Sequence, residues 1–212
     1  MVSFTEELAL LLPEDLPHRD RCLTGSARHL EMIVEANKSF NLTRILSPRE
    51  AAIKHVLDSI LPWRLFNGAT SVADAGTGAG YPGIPLAVIF PEMRFVLLES
   101  TQKKARFVET AVAELGLTNV EVYPVRAEAW LAGNSVDIIT ARAVVPLERA
   151  VPLFLAGLKN GARALLYKGP DVEQEMAAAA LEAGKRKVRM EVRNRYELPD
   201  NLGTRTIVEL SL

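Results

Sequence analysis

Cysteine is almost absent. The chain of 212 residues has one thiol, Cys22, which excludes an internal disulfide and the small stapled folds that depend on one. No apolar run is long enough to span a membrane. Residues 8–12 are apolar, but Glu6 and Glu7 precede them where a signal peptide carries cations. Together these features predict a cytoplasmic protein. Neither sign of charge is in excess: 25 Lys and Arg face 26 Asp and Glu, for a net charge of −1. Nucleic-acid binding therefore leaves no global signature and requires a local patch. His18, Cys22, His29 and His55 show no recognised ligand spacing, so no metal is expected. Internal repeats and low-complexity linkers are missing too. What remains is a chain of ordinary apolar content, sized for one domain with a substantial core and a small extension.

The stretch Val72-Ala-Asp-Ala-Gly-Thr-Gly-Ala-Gly-Tyr-Pro-Gly-Ile-Pro85 stands out. A short buried strand at 70–75 leads into Gly76, Gly78 and Gly80, then Gly83 and a helix at 84–90. Strand, glycine turn and helix form the architecture that brings a backbone close to a nucleotide. A phosphate-cradling loop ends in Gly-Lys-Ser/Thr; this turn has no lysine. Gly78-x-Gly80-x-x-Gly83 also fits dinucleotide spacing, and the bland alternative is a tight turn. Asp74, two residues before the first glycine, tips the balance. A carboxylate there repels a pyrophosphate and suits a ligand carrying ammonium and sulfonium charges, which is S-adenosylmethionine. Glu99 ends the next strand, about 20 residues on, where an acidic side chain holds ribose hydroxyls.

Residues 1–66 read as a helical extension, and 67–212 as the sheet-bearing domain. Leu23, Ala27, Leu30 and Val34 make one apolar stripe at helical spacing. Ser47-Pro48-Arg-Glu50 is a helix start, with serine as cap and proline in the first turn. The helix at 51–61 carries His55, Asp58 and Ser59 on one face, and Pro62 ends it. Taken alone, that constellation is best read as a satisfied core. From 70 onward strands near 70–75, 94–99, 120–125, 135–140, 161–168, 187–196 and 204–211 alternate with helices near 83–90, 102–116, 127–132, 146–158 and 171–184. This predicts an α/β fold, a doubly wound, mostly parallel seven-stranded sheet. Asp200-Asn-Leu-Gly203 joins the last two strands as a hairpin, which predicts one antiparallel edge strand. Each of the first five strands ends in a polar group: Asp74, Glu99, Arg126 to Glu128, Arg142 and Lys168. Ligands of such sheets bind at these ends.

Several pieces together carry a resemblance. They are Asn37-Lys-Ser-Phe-Asn41-Leu-Thr43, His55-Val-Leu-Asp58-Ser59 and the glycine stretch from Asp74 to Pro85. Leu98-Glu99-Ser100, Lys103-Lys-Ala-Arg106-Phe107, Arg126-Ala-Glu128, Ala141-Arg142-Ala143 and Lys168-Gly169 follow in order. Over nearly its whole length the chain resembles the RsmG family, also called GidB, the bacterial 16S rRNA guanine-N7 methyltransferases. Ala79 stands where many members carry proline, Tyr81 where many carry phenylalanine or leucine, and Lys54 where many carry arginine. The resemblance implies a class I S-adenosylmethionine-dependent methyltransferase with a Rossmann-like fold. The reaction it implies methylates N7 of guanine 527 in 16S rRNA of the small subunit, leaving S-adenosylhomocysteine. It implies cofactor contacts at Gly76, Tyr81, Ala127, Glu128 and Arg142, to which Asp74, Gly78 and Glu99 are added on physical grounds. It also makes His55, Asp58 and Ser59 look like a structured wall beside the cofactor.

N7 of guanine carries a lone pair and no proton, so the reaction calls for no general base. Arg142 is expected to position the cofactor or an RNA phosphate. Arg126, Lys168 and Lys54 are candidate RNA contacts, as are Lys38, Arg44 and Arg49. The basic tract of Lys185, Arg186, Lys187, Arg189, Arg193 and Arg195 is another candidate, though charge runs are usually solvated faces. A monomer is expected. The alternatives are a methyltransferase acting on a different RNA, a small molecule or a protein, and a cofactor-binding sensor.

Overall fold

The computed structural model describes residues 3–212. Helices α1 (Phe4–Leu11) and α2 (Arg19–Asn37) come first. Ser3 and Glu6 close a reciprocal capping box at the start of α1. Next comes one continuous helical rod in three parts: α3 (Pro48–Ala51), a π-helical turn (Ala52–Leu57) and α4 (Asp58–Ile60). Ser47 stands at the cap position, but its side chain makes no capping bond. The wider π-helical turn was not visible in the residue pattern; such turns recur at functional sites, and this one carries His55.

Strands and helices then alternate. They are β1 (Ser71–Ala75), α5 (Gly83–Ile89), β2 (Arg94–Leu98), α6 (Gln102–Glu114), β3 (Val120–Tyr123) and α7 (Ala127–Leu131). β4 (Ile138–Arg142), α8 (Leu147–Lys159), β5 (Arg163–Lys168) and α9 (Val172–Arg186) continue the series, and β6 (Arg189–Glu197) and β7 (Thr204–Ser211) end it. The spatial order is β3-β2-β1-β4-β5-β7-β6. Strands β1 to β5 pair in parallel, and β7 runs antiparallel to both β5 and β6.

The reversed strand is therefore not at the edge, which corrects the expectation from the sequence. Burial explains the exchange. β7 carries the buried run from Thr206 to Leu210, whereas β6 is largely exposed. The more apolar strand of the hairpin takes the inner place, and the polar one becomes the edge. β6 also holds a bulge: Val192 faces Val208, but Asn194 faces Ile207, so Arg193 is a surplus residue.

Side chains alternate across a strand, and the sheet separates its two faces accordingly. Val72, Phe95, Leu97, Ile138, Leu165 and Ile207 lie in one apolar cluster, with side chains from α1, α2, the π-helical turn, α5 and α6. Their neighbours Ala73, Val96, Leu98, Ile139, Ala164 and Val208 lie in the other, beneath α7, α8 and α9. Leu8, Leu30 and Ile60 of the N-terminal helices belong to the first cluster. The buried face of α2 runs through Cys22, Ser26, Ala27, His29, Leu30 and Ile33. It is rotated from the expected stripe, with Leu23 and Val34 on its flanks.

Two glycines give opposite expectations. A Cβ at Gly83 would meet the Leu97 side chain and lie 2.7 Å from Asp74 Oδ2. Gly83→Ala should lower stability by about 1–3 kcal/mol through overpacking. Gly184, near the end of α9, has open space at its Cβ position. Gly184→Ala should raise stability by roughly 0.5–1 kcal/mol, because alanine loses less backbone freedom on folding. Urea unfolding midpoints of the two variants against the parent check both signs.

Candidate functional site

β1 pairs with β2 on one side and with β4 on the other. The chain crosses in opposite directions from this pair, and the crevice at its carboxyl end is where such sheets bind ligands. The glycine turn occupies that place. φ is +71° at Gly76, +61° at Gly78 and +100° at Gly80, a region open to glycine and strained for other residues. The Val144 side chain leans on the turn, 2.9 Å from where a Cβ at Gly76 would stand.

Two carboxylates brace the turn. Asp74 is fully buried. Its Oδ2 accepts the Gly83 N–H at 2.8 Å, while Oδ1 has no partner among the described residues. Burial pushes its pKa up to about 6, opposed first by the neighbouring Thr77 hydroxyl, then by the Gly83 N–H and by Arg142. Glu99, also buried, accepts the Gly78 N–H at 3.1 Å and the Thr101 N–H at 2.7 Å. The acid at the end of β2 thus holds the middle of the turn after β1.

Tyr81 closes the turn, and three side chains converge on it. The His55 ring stacks on it at 4.8 Å and 11°. His29 lies 4.9 Å away, tilted by 32°, and Phe107 stands behind His29 at 6.1 Å. The Arg142 guanidinium lies 5.4 Å from the Tyr81 ring centre. The Tyr81 hydroxyl is buried without a partner among the described residues. His55 Nε2 is 3.1 Å from Thr43 Oγ1. Burial, and then the positive charge of Arg142, lower the His55 pKa to about 3, so it is neutral near pH 7.

Asp58, expected with His55 and Ser59 as a structured wall beside the cofactor, is linked to this group through Arg142. It is fully buried and shared by three donors. Arg142 Nη1 donates to its Oδ2 at 3.0 Å, and Arg205 spans both oxygens at 2.8 and 2.9 Å. The Tyr196 hydroxyl lies 3.2 Å from Oδ1. Arg142 Nη1 also donates to the Lys54 carbonyl at 2.9 Å. Ser59 turns its hydroxyl back onto the His55 carbonyl at 2.5 Å, and the Ser59 carbonyl accepts the Tyr167 hydroxyl at 2.7 Å. The three residues singled out together thus have separate structural partners.

The expected RNA contacts are dispersed. Lys168 is buried, donates to the Val145 carbonyl and pairs with Glu175 at 2.7 Å. That placement corrects its reading as an open phosphate contact: the ammonium is already satisfied inside the protein. Lys54 pairs with Glu50 at 2.7 Å, and Arg49 with Glu7 and Asp200. In the C-terminal tract, Arg186 pairs with Glu182, Arg193 with Glu209 and Arg195 with Glu173. Arg126, by contrast, is 74% exposed and stands 4.0 Å from Glu128. It caps the five-residue helix that begins with Ala127 and Glu128. Among the described residues no cluster of His, Cys, Asp or Glu could hold a metal ion, and no helix is long and apolar enough to cross a membrane.

The sequence reading gave no site role to His29, Tyr196 or Arg205. The hairpin signal at 200–203 implies that the strands carrying Tyr196 and Arg205 pair, and the structure sets these two residues opposite each other. Nothing in that signal points to Asp58.

The model of the rRNA small subunit methyltransferase G (GidB) family matches residues 25–198. The chain belongs to this family. Ribosomal RNA small subunit methyltransferase G of Solibacter usitatus is 65% identical over 209 residues, which cover 99% of this chain and all of that one. The protein of the same name from Staphylococcus epidermidis is 36% identical over 186 residues, covering 85% of this chain and 78% of its own. Solved structures share the fold at low identity. An O-methyltransferase from Bacillus cereus, solved with SAH, has a TM-score of 0.61 at 19% identity, covering 96% of this chain and 94% of that one. TomG from Streptomyces achromogenes, solved with SAM, has a TM-score of 0.60 at 19% identity, covering 96% and 93%. These neighbours confirm the Rossmann-like methyltransferase architecture. Within this rRNA methyltransferase, the GidB match includes every group around the glycine turn. It stops short of β7 and therefore of Arg205.

Removing the Asp58 carboxylate would strand two partly buried guanidinium groups. Asp58→Ala should cost about 3–5 kcal/mol of stability, read as a fall in the chemical unfolding midpoint. Lys54→Ala, which removes only a half-exposed pair, should cost less than about 1 kcal/mol.

Proposed function

We propose that this methyltransferase moves a methyl group from S-adenosylmethionine to N7 of guanine 527 in 16S rRNA. The observation that carries the cofactor half is Asp74. It is a buried carboxylate whose Oδ1 makes no hydrogen bond among the described residues and has only the Thr77 hydroxyl acting on it besides the Gly83 N–H on Oδ2, at the mouth of a glycine turn without lysine. A buried carboxylate needs a partner, and a cationic ligand supplies one where a pyrophosphate does not. The turn has room as well: a Cβ at Gly78 would meet nothing closer than the Gly76 carbonyl at 3.9 Å.

Asp74 and the turn from Gly76 to Tyr81 would hold the amino-acid end of the cofactor, Glu99 its ribose, and Ala127 with Glu128 its base. When bound, S-adenosylmethionine supplies an electrophilic methyl group on sulfur. The protein's own work is then placement. Guanine N7 has a free lone pair, so no side chain must take a proton. The neutral His55, held by burial and by Thr43, and the buried Tyr81 suit a site that excludes water rather than one that shuttles protons. Arg142, clamped by Asp58 and the Lys54 carbonyl, fixes the end of β4 beside Tyr81.

On the RNA side, N7 of a guanine in an A-form helix faces a groove too narrow for side chains. The target must be presented in a loop or flipped out, at a cost of about a few kcal/mol. Arg126, at the start of α7, and Arg44, next to Thr43, are exposed cations beside residues of the site. Methyl transfer should be much faster on small subunits, assembled or partly assembled, than on a short duplex of the same sequence. It should also weaken with a modest slope as salt rises. A time course on subunits, protein-free 16S rRNA and the duplex is the test. Equal rates on all three would favour a general RNA or small-molecule methyltransferase.

The Asp74 pKa of about 6 gives the cofactor step a pH signature. A cation beside the carboxylate favours its ionised form, so binding draws a proton off Asp74 when the pH lies below 6. Affinity for S-adenosylmethionine should be flat above about pH 6 and fall as the pH drops through it, by up to roughly tenfold per unit. Asp74→Asn should bind more weakly at pH 7 and lose the dependence. Calorimetry from pH 5 to 8 measures both.

A further inference from the structure

His29 lies outside the sheet, on α2, and is completely buried. Its Nε2 is 2.9 Å from the carbonyl oxygen of Ala79, in the middle of the glycine turn. A carbonyl oxygen only accepts, so the proton sits on Nε2 and the imidazole donates. Burial supports the same assignment, lowering the His29 pKa to about 4 against the raising effect of the Ala79 bond. Near pH 7 the ring is thus neutral, with Nδ1 unprotonated and without a partner among the described residues.

The same ring lies against Tyr81 at 4.9 Å, and Gly80 is shaped to admit it. A Cβ at Gly80 would come within 3.0 Å of His29 Cε1 and closer still to Ile84. One side chain therefore meets three consecutive residues of the turn: it bonds to the Ala79 carbonyl, packs over Gly80 and lies against Tyr81. The turn needs such restraint. Three positive-φ glycines in five residues give it many backbone states to lose on ordering. Glu99 holds the N–H of Gly78, the Thr77 carbonyl accepts the N–H groups of Gly80 and Tyr81, and His29 holds the carbonyl between them.

We propose that His29 is a positioning residue for the cofactor turn: a hydrogen bond from the N-terminal helical extension sets the Ala79 carbonyl and the Tyr81 ring in the ligand-binding conformation. The proposal rests on the S-adenosylmethionine reading of that turn. It assigns the extension a part in cofactor affinity, in addition to any part in meeting RNA. His29 touches neither the methyl group nor the guanine, so its effect belongs on cofactor binding and not on the transfer step.

Two substitutions separate hydrogen bond from packing. His29→Phe keeps an aromatic ring against Tyr81 and leaves the Ala79 carbonyl without its donor. His29→Gln loses the ring but puts an amide N–H at about the reach of Nε2. S-adenosylmethionine affinity by calorimetry, separate KM values for cofactor and subunit, kcat and thermal midpoint are measured for each. His29→Phe should weaken cofactor affinity and raise its KM by about tenfold, the scale of one buried unsatisfied carbonyl. Its kcat and the KM for the subunit should stay within about twofold. His29→Gln should recover most of the affinity. Nitrogen NMR of the parent should show the Nε2–H tautomer at His29. Parent-like cofactor affinity in His29→Phe would overturn the proposal. So would a Gln variant that folds as stably as the parent and binds no better than Phe, or an Nδ1–H tautomer in the parent. Should His29→Phe fail to fold, the Gln variant and the tautomer decide. A parent protein that binds no S-adenosylmethionine would instead overturn the functional reading, and this proposal with it.

Discussion

The structure depends on one buried negative charge. Asp58 has no access to water, and two guanidinium groups and a phenol surround it. A carboxylate in that position is ruinous without partners and roughly neutral with them. Its effect is therefore less to add stability than to forbid other arrangements. The partners come from the ends of distant elements: α4 supplies the acid, β4 supplies Arg142, β7 supplies Arg205 and β6 supplies Tyr196. Only one docking of the helical extension on the sheet brings all four together. That docking also brings the π-helical turn to Tyr81 and α2 to the glycine turn.

The site is thus made by two kinds of constraint. Within the sheet, the crossover order opens a crevice after β1, and the glycines let the backbone turn tightly inside it. From outside, His29, His55 and Arg142 gather on Tyr81 and fix the wall of the crevice. The first kind is local chemistry and belongs to a large class of folds. The second is particular to the way this extension packs. It also explains the quiet electrostatics: most cations that the sequence offers near the rims, such as Lys54, Arg49 and Lys168, are consumed by internal acids.

The same division decides what was legible in the sequence. The glycine turn, Asp74 and Glu99 were legible because their meaning lies in spacing over a few residues. The alternation of strands and helices was legible for the same reason, with boundaries displaced by a few positions. The place of β7 was not, because a hairpin signal fixes pairing and says nothing of which strand lies inside. Comparing the apolar content of the two strands would have given it. The partners of Asp58 were not legible either. Tyr196 and Arg205 lie 138 and 147 residues further along, and no local period spans such a distance. His29 was noticed only as a residue without a metal-ligand pattern. Its role depends on the rotation of α2, which the four-residue stripe placed slightly off.

The surplus residue in β6 has a geometric meaning. Before it, Val192 opposes Val208, whose side chain joins the cluster under α7 to α9; after it, Asn194 opposes Ile207, which belongs to the other face. Were Arg193 paired with Ile207 in an unbroken ladder, Tyr196 would sit across from Thr204 and would face away from Asp58, since one step of register exchanges the two sides of a strand. With Arg193 left out of the pairing it sits across from Arg205, and phenol and guanidinium reach the same carboxylate. The bulge acts as a parity switch. The even-numbered residues of β6 face the layer under α7 to α9 before the bulge and the Asp58 side after it.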